Sequence, residues 1–192
     1  MMRKERLEAF SDGVLAIIIT IMVLQLKPPP ERTLGALLPL VPDFLSYLLS
    51  FVFLGIYWNN HHHLFQAVHK VDGRVLWANL HLLFWLSLIP FVTSWVGENH
   101  FAPLPTALYG GILLLAAIAY FLLTKSLIAL HGSQSVIATA LGSDFKGKIS
   151  VVIYALSIPL ASLDSRLSFT LYVLVALLWF IPDRRIENVL GR

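Results

Sequence analysis

Apolar residues in this chain come in long blocks separated by short polar punctuation. Four blocks, at about residues 9–26, 43–62, 75–96 and 104–128, are long enough to cross roughly 30 Å of hydrocarbon as helices rising about 1.5 Å per residue. Two shorter blocks, at about 149–163 and 167–182, flank the turn-like LDSR. They read as a helical hairpin, with a re-entrant pair as the alternative. Pro28 to Pro30 close the first block and Pro39 and Pro42 precede the second, where a residue without an N–H ends or opens a helix. Pro90 and Pro159 fall inside blocks, where a kink is tolerated in a membrane. The expected fold is all-α and integral to the membrane, one domain over residues 1–192 with six transmembrane helices.

Composition agrees with the pattern. Of the 192 residues 57% are hydrophobic and 13% charged, against roughly 45–50% and 25% in a soluble domain. There is no cysteine, which excludes disulfides, thiolate metal sites and cysteine nucleophiles. The basic opening of the first block resembles a signal peptide, but QLKPPPER follows it in place of a small-residue cleavage site, so it is read as a retained helix. The net charge of +3 does not point to nucleic acid, because the basic residues lie in short loops. With six spans Arg3, Lys4, Arg6, Lys70, Arg74, Lys146, Lys148, Arg184, Arg185 and Arg192 share one side. Lys125 lies near that side, and only Lys27, Arg32 and Arg166 lie opposite. The positive-inside rule then places both termini in the cytoplasm.

Polar residues within such blocks need a partner or a task, since an ionisable group costs roughly 2.5–3.5 kcal/mol at a helix centre. Asp12 lies near the start of the first helix beside Ser11, where a carboxylate complements the helix dipole. Taken alone it reads as an acidic helix N-terminus. YWNNHHHLF closes the second block, with Trp58, His61, His62 and Phe65 spaced i, i+3, i+4, i+7 on one side of the helix. Asn79 and His81 open the third block at the same depth. One level thus collects Arg6, Ser11, Asp12, Trp58, the histidines including His61 and His62, and Asn79, a set able to satisfy its own donors and acceptors. Consecutive helical histidines point about 100° apart and cannot converge on one ion, so no metal site is expected. Protonation of the histidines stays open.

Farther along helix one, Ile17, Ile21 and Leu24 form a stripe at i, i+4, i+7, with Thr20 on the same side. Such a stripe ordinarily packs against a helix or lipid, and Thr20 can bond back to the carbonyl of Ala16.

The series Arg6-x-x-x-Phe10-Ser11-Asp12 resembles the R-x-x-x-F-S-D signature on the first helix of the transmembrane protein 175 family of lysosomal and bacterial potassium channels. YWNNHHHLF and ANLHLLFWLSLIPFVTSW are similar to blocks of its single-repeat bacterial members, and the likeness extends over essentially the whole chain. The resemblance implies a homotetrameric cation channel of the bacterial inner membrane, with helix one around a central pore and K⁺ as the permeant ion. It places constricting rings at Ile17, Ile21 and Leu24, a threonine layer bearing on potassium preference at Thr20, and no TVGYG filter, a sequence absent here. The partners implied are three further copies, the lipid bilayer and monovalent cations, with no cofactor, metal or nucleic acid.

Rival readings are a proton-conducting channel, a small-solute or ion transporter using the cytoplasmic His/Asp cluster, and a membrane enzyme using the histidines. The transporter lacks a charged residue near the midplane or an inverted repeat. An enzyme would need a nucleophile and base at matching depth.

Overall fold

A computed structural model describes residues 4–141 and 144–180, all of the regular structure being helical. In chain order these are α1 (Lys4–Leu24), a 3₁₀ segment (Leu34–Leu40), α2 (Val41–Gln66), α3 (Gly73–Ser87), α4 (Ile89–Glu98), α5 (Pro103–His131), α6 (Val136–Leu141), α7 (Phe145–Leu160) and α8 (Ser165–Phe180). Residues 181–182 of the sixth expected span, and Arg3, Arg184, Arg185 and Arg192 of the charge argument, lie outside the described residues.

The helices overrun the apolar blocks because hydropathy marks the part that needs hydrocarbon, whereas backbone bonding continues into the polar flanks. Thus α2 carries its histidines as regular helix to Gln66, and α1 begins at Lys4. The third block is two helices. Pro90 has no N–H to bond the carbonyl of Leu86, and the chain tightens at Leu88, whose N–H bonds Trp85 O at 3.2 Å before the ladder resumes with Val92 N to Leu88 O at 3.3 Å. Counting the two halves together, four helical stretches among the described residues are long and apolar enough to cross a membrane: Lys4–Leu24, Leu34–Gln66, Gly73–Glu98 and Pro103–His131. The later helices α7 and α8 have 16 residues each.

Helix α5 is the hub, packing on α3, α4, α7 and α8. Its buried face includes Gly110, Ala116 and Ala119, small residues that let neighbouring backbones approach. At Gly110 the ring of Tyr172 leaves no room for a Cβ, and the Tyr172 hydroxyl donates to Thr106 O at 3.2 Å. Helix α5 ends at Gly132, which takes φ +91°, a conformation open to glycine at no steric cost. Helix α1 lies on α2, α3 and α4, at the edge of the bundle.

One end of the bundle carries Lys4 and Arg6 of α1, Lys70 and Arg74 between and at the start of α2 and α3, and Lys146 and Lys148 of α7. The other end carries Lys27 and Arg32 in the described loop and Arg166 in the first turn of α8.

Candidate functional site

Helix α1 has two unlike faces. Leu7, Ser11, Leu15, Ile18 and Met22 are buried, a stripe repeating every three or four residues that docks on α2, α3 and α4. On the other side Phe10 is 52% exposed, Ile17 60%, Ile21 45% and Leu24 75%. Gly13 and Thr20 share this open side. The Thr20 hydroxyl donates to Ala16 O at 2.8 Å. Its one proton is thereby committed, and its lone pairs remain available to a cation.

Nearer the basic end a buried chain of hydrogen bonds ties α1 to α2 and α3. Ser11 Oγ donates to Leu7 O at 2.9 Å and accepts from Asn79 Nδ2 at 2.9 Å. Asn79 Oδ1 lies 2.8 Å from His61 Nε2. A carboxamide oxygen only accepts, so this nitrogen of His61 carries the proton. The His61 ring packs on Phe65 at a centroid distance of 4.6 Å, and Ser11, Asn79 and His61 are all buried. The sequence supplies each partner at a helical position facing inward, and burial then demands that each be paired.

A second chain runs along the edge. Trp58 Nε1 donates to Asp12 Oδ1 at 3.0 Å, the Trp58 ring stacks on His62 at 6.0 Å, and the Gln66 amide donates to His62 Nε2 at 2.8 Å. That bond leaves the His62 proton on Nδ1, opposite to His61. Asp12, Trp58 and His62 are exposed in the protomer. The expected single network is therefore two, and the shared face of Trp58, His61, His62 and Phe65 splits into an inner pair and an outer pair. Among the described residues no three His, Cys, Asp or Glu side chains converge as metal ligands.

Two expected members join neither chain. Arg6 and Phe10 are exposed with no described hydrogen bond in the protomer. Five residues of helix separate Arg6 from Ser11 and turn it about 140° away, and Phe10 is turned about 100°. Both fall on the open side with Ile17 and Leu24. The cation that grips α2 is Lys4, whose Nζ donates to Phe65 O at 3.1 Å and Val68 O at 3.0 Å, capping carbonyls at a helix C-terminus where positive charge is favoured. Nothing local marks Lys4 for this role; only the adjacency of α1 and α2 does.

Sequence reasoning also missed a polar node behind the outer half of α1. Thr93 Oγ1 donates to Ile89 O at 2.7 Å, Ser50 Oγ lies 2.6 Å from Thr93 Oγ1, and the Tyr109 hydroxyl lies 2.8 Å from Ser50 Oγ. Tyr109 to Ser50 to Thr93 to the carbonyl is the direction that satisfies every proton. The node joins α2, α4 and α5 and meets Met22 of α1, whose Sδ is 4.0 Å from Thr93 Oγ1.

The family model described as endosomal/lysosomal potassium channel TMEM175 matches residues 6–90, the stretch holding α1 and both hydrogen-bonded chains. A potassium channel of Chryseobacterium sp. (strain P1-3) is 54% identical over 189 residues, 98% of each chain. The chain belongs to the TMEM175 family. A further relative, named a potassium channel of Chamaesiphon minutus (strain ATCC 27169 / PCC 6605), is 38% identical over 129 residues, covering 62% of this chain and 64% of that one. The crystal structure of a lysosomal potassium-selective channel TMEM175 homolog from Chamaesiphon minutus superposes with a TM-score of 0.81 at 28% identity, covering 93% of this chain and 97% of that chain. Vertebrate TMEM175 proteins match in part: that of Gallus gallus, named an endosomal/lysosomal proton channel, is 36% identical over 107 residues, 50% of this chain and 21% of its own. This TMEM175 member is a multi-pass membrane protein, and the open side of α1 is one of its exposed apolar surfaces.

Proposed function

We propose that the chain is a potassium-permeable cation channel, built from four copies whose α1 helices surround a central pore, with six spans per copy and both termini cytoplasmic. The observation that carries this reading is the two-faced α1. A helix anchored by a buried polar chain on one face leaves Ile17, Ile21 and Leu24 unpartnered on the other. One helix cannot enclose a path, so the function needs closed rotational symmetry. Fourfold rings of isoleucine and leucine make a dry constriction that gates by dewetting, and four Thr20 hydroxyls replace part of an ion's water shell between them. Potassium, being less tightly hydrated than sodium, crosses such a layer more readily. Support also comes from the names of the bacterial relatives and from the basic end that collects six described lysines and arginines.

The Ile17→Asn variant tests the constriction. As a pore-lining residue, asparagine wets the narrowest ring and raises labelled K⁺ uptake per protein into liposomes. On a lipid-facing or packed surface an amide gives no gain. Current at or below that of the parent, at matched protein density, removes Ile17 from the constriction.

Proton conduction through the same path is a second reading, supported by the proton-channel names of the vertebrate relatives and by the exposed Asp12, Trp58 and His62 chain at the mouth. Acidification of a dye-loaded vesicle without K⁺ movement would favour it. A transporter site at the histidines has less support, since Asp12, His61 and His62 line neither the cavity between α2, α5, α7 and α8 nor the one beside Met22, Asp43 and Thr93.

A further inference from the structure

A cavity of about 380 Å³ opens between α2, α5, α7 and α8, within the roughly 300–1,000 Å³ of small-molecule sites. It lies on the opposite side of α2 from the pore helix: Trp58 turns to α1, whereas Phe53, Ile56, Tyr57 and Asn60 turn to the cavity. Hydrocarbon dominates the wall, with Phe53, Ile56, Ala117, Phe121 and Val151 among the lining residues.

Several polar groups in the wall are already engaged. Asn60 Nδ2 donates to Ile56 O at 2.8 Å, Tyr120 OH donates to Asn60 O at 3.2 Å, and Trp179 Nε1 donates to Ser150 Oγ at 2.8 Å, which in turn donates to Lys146 O at 2.8 Å. These engaged groups offer little to a polar solute, and with Tyr57 and Tyr154 contributing mainly ring surface the interior suits an apolar chain. The mouth is different. Lys148 lines it and is exposed, and Lys146 Nζ lies 5.9 Å from the Trp179 ring centroid. The Asp144 carboxylate lines the cavity as well, where it accepts from Gly147 N at 3.3 Å and so closes the first turn of α7.

A greasy interior, an aromatic collar and an exposed cation at the basic end together describe a site for an amphiphile with a negative head. We infer that the cavity takes an acyl chain of an anionic glycerophospholipid of the cytoplasmic leaflet, with its phosphate at Lys148. Basic pockets between helices on that side suit anionic headgroups, and tyrosine and tryptophan sit at that interface. A second copy of the chain is the weaker occupant, because the unpartnered face of α1 is the one turned to the symmetry axis. The leaflet rests on the orientation proposed above; the pocket and its charge do not.

Native mass spectrometry of the whole assembly, with phosphatidylglycerol or phosphatidylcholine of equal chain length added, tests the inference. The parent is expected to hold phosphatidylglycerol about fivefold more than phosphatidylcholine, the weight of one lysine near an anionic surface. Lys148→Ala, an exposed change that leaves the fold intact, removes that preference. Ala117→Phe fills the cavity and lowers both adducts. Equal binding of the two lipids by the parent, preference retained in Lys148→Ala, or parental adduct levels in a fully assembled Ala117→Phe overturns the site. A change of subunit number in either variant instead assigns the face to an interface between copies, which also overturns it. Potassium uptake by the same preparations separates the readings: lipid preference without flux sinks the channel alone. With no native cysteine present, a single Lys148→Cys modified from outside intact spheroplasts by an impermeant maleimide overturns the cytoplasmic leaflet.

Discussion

Ser11, Asn79 and His61 decide how α1 is held, and Thr20 decides what its open side offers an ion. Removing the Asn79 carboxamide leaves the buried His61 N–H and Ser11 oxygen each without its partner, at a cost of about 1–3 kcal/mol per unsatisfied group. Asn79→Ala is therefore expected to lower the melting temperature in detergent while the K⁺ to Na⁺ permeability ratio of the surviving channels stays as it was; a variant that melts with the parent would show the chain to be dispensable. Asp12 belongs to the exposed chain, where a single hydrogen bond is worth less. Thr20→Val removes an oxygen at nearly constant volume, and a lower K⁺ to Na⁺ ratio under bi-ionic conditions is expected with assembly unchanged. An unmoved reversal potential would make Thr20 an ordinary back-bonded helix residue. The motif residues were legible as a set at one depth; that Arg6 and Phe10 would join neither chain within the protomer was not. Depth is read from position along the chain, whereas partnership depends on the angle around the helix, and five residues rotate a side chain most of the way to the opposite face.

At the scale of elements, close approach is what joins α4 to the start of α2. A Cβ on Gly97 would lie 2.8 Å from Asp43 Cα and 2.8 Å from Ser46 Oγ, and backbone cannot move aside as a long side chain can. Gly97→Ala is expected to destabilise by about 1–3 kcal/mol, as overpacking does. Gly111→Ala, with nothing within 4 Å of the added carbon, is expected to be neutral or to stabilise by about 0.5–1 kcal/mol through helix propensity. Thermal unfolding of the two variants side by side checks the contrast, and equal melting temperatures would remove the packing argument. The four longer apolar blocks overlap the four long helical stretches. Their ends differed because hydrogen bonding, not hydropathy, ends a helix, and the split at Leu88 was visible only as Pro90, a residue that kinks some helices and breaks others according to what packs beside it.

For the whole molecule, the exposed side of α1 with Ile17, Ile21 and Leu24 is the face that further copies would cover. If four copies close around it, Leu24 side chains from different copies approach one another near the axis. Because the chain has no cysteine, Leu24→Cys provides a single reactive position per copy. A short bis-maleimide is expected to link it into covalent dimers on a denaturing gel, while Leu163→Cys, 84% exposed in the turn between α7 and α8, remains monomeric under the same treatment. No dimer from Leu24→Cys would place α1 away from the axis. The sequence by itself determined the solvent of this protein, the rough positions of its four long apolar stretches, and the depth at which Ser11, Asp12, His61 and Asn79 lie, since these follow from hydropathy and from about 1.5 Å per residue. The tertiary structure alone decided which of those residues touch, that Lys4 caps α2, that Ser50, Thr93 and Tyr109 meet behind Met22, and which side of α1 stays open. Each of these depends on how helices distant in the chain are rotated and set against one another, and a local pattern of residues leaves that rotation undetermined.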